Sequence, residues 1–187
     1  SDNTLTKPAV TFTTGRFIVT GAHQIFSNLN ISGEQVTTAQ MDITPRCKVH
    51  RCRIECTAAN AAGRALYAWF DAGATGPIVV TDSWLKATSS AEVIFATFSN
   101  PLVIEDNVLD GGSNSFQADV VAAPIILEGN VMDSPGADAV IITGAGPSLL
   151  YLCGNSIYNS GGDGVELAVV PGVTFVENNI FSTIGGY

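Results

Sequence analysis

G-N-V-M-D-S-P-G-A-D-A-V, Gly129 to Val140, returns as G-N-S-I-Y-N-S-G-G-D-G-V, Gly154 to Val165. Its opening comes back once more in E-N-N-I-F-S-T-I-G-G, Glu177 to Gly186. Around this phrase the same spacing extends in both directions. Pro101, Pro124, Pro147 and Pro171 stand 23, 23 and 24 residues apart, and each opens a similar phrase. Asn107, Asn130, Asn155 and Asn179 follow at 23, 25 and 24. Two residues beyond each Asn comes Leu109, Met132, Ile157 or Phe181. A fixed period of this size marks a solenoid.

Each repeat carries short apolar runs, such as Ile125-Ile126-Leu127 and Val173-Thr174-Phe175-Val176, separated by Gly, Asn, Asp, Ser and Pro. Runs so short and so rich in Val and Ile predict strands, since helices need ten residues or more. One such unit cannot bury its own apolar face and must stack on copies of itself. No leucine-rich L-x-x-L-x-L-x-x-N series occurs. The expected fold is all-β, a single-stranded right-handed parallel β-helix of about seven coils, each of ~24 residues. Asn107, Asn130, Asn155 and Asn179 then form a structural ladder, each side-chain amide bonding to its copy one coil away.

The register extends backwards. Ser83 and Leu85 fall in the columns of Asn107 and Leu109, and Cys52 and Ile54 in the same columns one coil earlier. The gap of 31 residues between those two coils implies a longer turn within Thr57–Pro77. Ile25 to Gly33 supplies the first coil. Residues 1–22, dominated by Thr, Pro and Gly, read as an extended N-terminal arm, and 23–187 as the β-helix. The last coil is as bare of a cap as the arm, and terminal repeats need covering. A longer parent chain or a partner is therefore expected at that end.

The phrase G-N-x-[IM]-x-[NS]-[SP]-G-[GA]-D-[GA]-V resembles the right-handed parallel β-helix, or pectin-lyase-like, superfamily, closest in character to bacteriophage tailspike and virion β-helix proteins. The resemblance runs from about residue 100 to the end and is fainter before it. It implies a fold shared by polysaccharide-active enzymes and by inert shafts that work as homotrimers. Pectate-lyase-like members use Ca²⁺-binding acids and a basic residue as proton acceptor. Here no Lys or Arg follows residue 86, so that chemistry would have to borrow Arg51, Arg53, Arg64 or Lys86.

Charge narrows the partners. Charged residues make up only 13% of the chain, about half the usual share, so a long thin surface must be largely neutral. All eight Lys and Arg lie in residues 1–86, against six acids; eleven acids and no base follow. The halves are thus +2 and −11. No basic stripe exists for nucleic acid, and a polyanionic substrate is disfavoured unless bound cations reverse the field. The asymmetry suits contacts between unlike faces. No run of 18 apolar residues predicts a membrane span. Cys47, Cys52 and Cys56 surround His50, but C-x4-C-x3-C along a strand is no zinc knuckle. Free, mostly buried thiols are expected, with no metal. Neither His23 nor His50 has an obvious acid partner in sequence.

The acids align in columns: Glu105, Glu128 and Glu177; Asp110 and Asp133; Asp138 and Asp163. Copies one coil apart sit ~5 Å from each other, the separation of a retaining glycosidase pair or of a Ca²⁺ site. The fold imposes that spacing on any repeated residue, so the distance itself says little. Two functions follow as expectations. The first is a structural or attachment protein of a virus particle (a phage spike, fibre or head decoration) without catalysis. It would be homotrimeric, bound to other virion proteins, and assembled in the host cytoplasm. The second is a secreted or tailspike-borne hydrolase or lyase, or a glycan-binding module. It would use Glu105, Glu128, Asp110 or Asp133 as acids and Trp69, Phe70, Tyr151 and Tyr158 to stack on a cell-surface glycan.

Overall fold

A computed structural model describes residues 10–13, 16–19, 24–33, 39–57, 63–69, 76–88, 91–97, 100–121 and 123–185. Three parallel sheets wrap around one core and form a β-solenoid. The first wall stacks Ile25–Ser27, Lys48–His50, Ile78–Thr81, Leu102–Glu105, Ile125–Glu128, Leu149–Cys153 and Val173–Glu177. The second stacks Asn30–Gly33, Arg53–Cys56, Trp84–Ala87, Val108–Gly111, Val131–Asp133, Ser156–Tyr158 and Ile180–Ser182. The third runs from Ala39–Ile43 through Arg64–Trp69, Ile94–Thr97, Phe116–Val121 and Val140–Gly146 to Val165–Leu167. The chain visits the walls in that order in every coil. Six coils are complete, and the seventh has two described strands.

Alternation along each strand sends one side chain of two into the core. Leu102, Ile104, Ile125, Leu127, Leu150 and Leu152 fill it from the first wall. Leu85, Leu109, Met132 and Ile157 do so from the second, in register with Ile54. The columns expected for Leu85 and Ile54 are therefore the observed ones.

The corner between the first and second walls is one left-handed residue in every coil: Asn28, Arg51, Asp82, Asp106, Gly129, Gly154 and Asn178, with φ between 51° and 65°. A single such residue turns the chain sharply, at a conformational cost that Asn, Asp and Gly tolerate best. Its N–H is not wasted. Asp82 donates to the Glu105 carbonyl, Asp106 to that of Glu128 and Gly129 to that of Cys153, each one coil on.

Next to the corner stands the Asn ladder. Asn107, Asn130 and Asn155 are all but sealed from solvent. The Asn130 Oδ1 accepts from the backbone N–H and Nδ2 of Asn107, both at 3.1 Å. Its own Nδ2 donates to the Ile104 carbonyl at 2.8 Å and to Asn155 Oδ1 at 3.0 Å. Asn155 repeats the pattern with Asn179. Towards the N-terminus the column continues through Ser83, whose N–H donates to Asn107 Oδ1, and Cys52, whose N–H donates to Ser83 Oγ.

Some expectations are corrected. Thr57–Pro77 is not simply a long turn, because Arg64–Trp69 within it is a regular strand of the third wall, paired with Ala39–Ile43 and Ile94–Thr97. The extra length is divided between the two sides of that strand. Nor do the four prolines share one column. Pro77, Pro101 and Pro124 align, but Leu149 takes the next place because Pro147 lies two residues earlier. This reconciles the proline spacing of 23 with the Asn spacing of 25 at that point. In the stretch read as an arm, Val10–Thr13 and Arg16–Val19 form an antiparallel hairpin whose second strand joins the third wall beside Met41.

Candidate functional site on the outer walls

The carboxylates read as catalytic candidates fall on two different walls. Glu105 and Glu128 are neighbours on the outside of the first wall. Beyond them the column continues with Cys153 and Glu177. Asp110 and Asp133 are neighbours on the second wall, and both are engaged. The Lys86 ammonium lies 2.9 Å from Asp110. Asp133 Oδ1 accepts from Ser134 Oγ at 2.9 Å and from Asn159 Nδ2 at 3.0 Å.

The Asp of the repeated phrase has a backbone task. Asp138 Oδ1 accepts the N–H of Asp163 at 2.7 Å, and Asn114 Oδ1 accepts the N–H of Asp138 at 3.1 Å. Asn114, Asp138 and Asp163 thus make a second ladder, and Asn114 stands 24 residues before Asp138 in the sequence. Glu166 lies beside it. Burial, then the charge of Asp138, a hydrogen bond to it, and the charge of Asp163 raise the Glu166 pKa above its ordinary 4.5.

The sign of that shift makes a prediction. A carboxyl with a raised folded pKa binds more protons folded than unfolded, so stability declines as pH rises past 4.5. Glu166→Gln keeps a donor for Asp138 and removes the charge. The variant is expected to have a higher urea midpoint than the parent at neutral pH, with the gap closing in acid. An equal change at both pH values would reduce Glu166 to a packing role.

Of the four aromatic candidates, Phe70 and the Trp69 side chain lie outside the described residues. Tyr151 and Tyr158 do not converge: the first is on the outside of the first wall, the second on that of the second wall. Tyr151 lies against Phe175, with ring centroids 6.3 Å apart. Its phenol is pushed up to about 12, first by a hydrogen bond with Cys153 and that thiol's charge, then by burial and by Glu128 and Glu177. It remains a neutral donor throughout the physiological range.

Two features escaped the sequence reading. Trp84 is covered by the Arg53 guanidinium 4.3 Å from its ring centre, a pairing set by their shared rung. His50 does have an acid partner: its Nδ1 lies 3.1 Å from Asp82 Oδ2 and 3.0 Å from Thr81 Oγ1. The 31-residue coil that brings them together hid the pair in sequence. A hydrolytic dyad also needs a hydroxyl or thiol at the other ring nitrogen, and none of the described contacts supplies one. The four cysteines are free. Among the described residues, no cluster of His, Cys, Asp and Glu has the arrangement of a metal site, and no helix is long and apolar enough to cross a membrane.

Taken residue by residue, the repeated phrase spends Asn130 on the first ladder and Asp138 on the second. Its Gly161 serves close stacking, since a methyl group there would overlap the Gly136 carbonyl of the adjoining coil. Against known proteins, no family model, no curated protein and no solved structure matches the chain. What is established is the architecture, an all-β parallel solenoid with a repeat of about 24 residues.

Proposed function

We propose that this chain is a structural or attachment element without catalysis of its own, a β-solenoid shaft or decoration of a virus particle. The observation that carries this reading is the use of the repeated polar residues. Asn107, Asn130 and Asn155 bond to the next coil's amide, Asp138 bonds to the next coil's backbone, and Asp110 is neutralised by Lys86. Repetition that serves stacking builds a rigid rod. A reaction centre needs the opposite, a local break in the repeat where unlike groups converge in a cleft. The low charge and the apolar outer residues of the first wall add support, because such surfaces are found where other subunits lie. The finer kinship with pectin-lyase-like virion proteins rests on the resemblance of the repeated phrase.

The test is an assay of the full chain on neutral and acidic polysaccharides, reading release of reducing ends and of unsaturated sugars. No release, with or without added Ca²⁺, is expected. Turnover abolished by Glu105→Gln or Glu128→Gln would replace this reading with a polysaccharide-active enzyme.

A further inference from the structure

The outside of the first wall departs from the apolar-in, polar-out alternation of a sheet that faces water. It presents three columns, and two of them are apolar. One runs Val79, Val103, Ile126, Tyr151, Phe175. Beside it, in the same register, stand Pro77, Pro101, Pro124, Leu149 and Val173. The third column forms a polar border and holds Glu105, Glu128 and Glu177 in the fourth, fifth and seventh coils. Cations sit at the opposite end. Lys48 occupies the second-coil place of the Val79 column, with His50 in the border column and Arg46 just before the strand. The wall is therefore apolar along its length, basic at one end and acidic at the other.

Its two ends also differ in shape. At the basic end a hollow of about 440 Å³ is lined by Ile25, Arg46, Cys47, Lys48, Pro77 and Val79. At the acidic end Phe175 projects, 46% exposed. We infer that this wall binds a second copy of the same chain, antiparallel, about a two-fold axis between the Val103 and Ile126 rungs.

That axis sets Val103 against the partner's Ile126, Val79 against the partner's Tyr151, and Lys48 against the partner's Phe175 and Glu177. Each Phe175 then faces the hollow of the other copy, and each basic end meets an acidic one. The interface is self-complementary, as a closed two-fold contact must be. Parallel packing would instead bring the Glu105, Glu128 and Glu177 borders of neighbouring copies side by side. The charge gradient thus favours two antiparallel copies over the parallel three-fold assembly that the family resemblance implies. This inference does not depend on the virion reading, and the assays of the two are separate.

Sedimentation equilibrium of the full chain at micromolar concentration and low salt tests it. A dimer is expected, weakened by salt. Lys48→Glu and Glu177→Lys should each weaken association about tenfold, and the double variant should restore it, since the two charges are only exchanged. Far-UV circular dichroism checks that each variant folds; Glu177 lies on an exposed strand, so Glu177→Lys carries the test if Lys48→Glu fails to fold. A monomer at every concentration, a trimer, an unweakened Glu177→Lys variant, or a double variant as weak as either single one would overturn the proposal. A monomer that binds a neutral polysaccharide and loses it on Val103→Lys would assign the wall to a glycan instead.

Discussion

Asn130→Asp is expected to destabilise the chain by about 3–5 kcal/mol at neutral pH and by much less in acid. One carboxylate oxygen can still accept from Asn107, as the amide oxygen does. The other replaces Nδ2 and faces two acceptors, the Ile104 carbonyl and Asn155 Oδ1, with no proton to offer either. The site is sealed from water, so nothing screens the charge. Protonation gives back one donor. The new carboxyl therefore has a folded pKa above the ordinary ~3.9, and the penalty grows as pH rises from that value to the folded one. Urea unfolding at pH about 4 and about 7 measures it. Asn130→Ala serves as the comparison: it loses the same bonds without gaining a charge, and its cost should not depend on pH. If the two variants behave alike at both pH values, the Asn column would be a set of turn residues and not a buried ladder.

Gly161→Ala should cost about 3 kcal/mol or more, at the upper end for overpacking. The glycine has an ordinary backbone conformation here, so strain in φ is not the reason. An added methyl would overlap the carbonyl oxygen of Gly136, which is main chain and cannot swing aside. Gly136 is itself tied to Gly112 by a 2.8 Å hydrogen bond, and Gly161 to Pro135 at 3.0 Å. Relief would have to come from spreading the coils, which breaks both. The control is Gly154→Asn at the first corner. That residue is left-handed at φ 64°, its Cβ position has no close neighbour, and Asn occupies the same place in Asn28 and Asn178. It is expected to lose well under 1 kcal/mol. Equal losses at the two positions would show that glycine is needed for backbone freedom alone.

The repeat made the stacking legible from the sequence, down to Cys52 under Ser83 under Asn107. That column could be read because amide, hydroxyl and thiol occupy one place at intervals of 31 and 24 residues. The corner beside it could not. Its occupants include Arg51, Asp82, Gly129 and Asn178, and what they share is a backbone angle, with no common side chain. The strand Arg64–Trp69 was hidden for a related reason: the flanking insertions displaced it from the period, and only its pairing with Ile94–Thr97 reveals it. Among the candidate site residues, periodicity placed Glu105 beside Glu128 and Asp110 beside Asp133 correctly. It was silent on their partners. Lys86 shares a rung with Asp110, and His50 reaches Asp82 across a coil of unusual length. Side-chain pairing of that kind depends on the angle between walls, which no spacing encodes.

The hydrogen bonds that link one coil to the next have a consequence for how the chain finds its shape. Almost every one spans 23 to 32 residues, one circuit of the solenoid, as in Ser83 to Asn107 and Thr88 to Cys56. Against a length of 187 residues, a circuit of about 24 gives a relative contact order near 0.13. Sandwiches and barrels made of strands close much longer loops, and this value belongs instead with mixed helix-and-sheet domains. Once two adjacent circuits have met, each further one needs only a loop of the same short length, so assembly proceeds by accretion on an existing edge and its speed should be nearly independent of how many circuits are added.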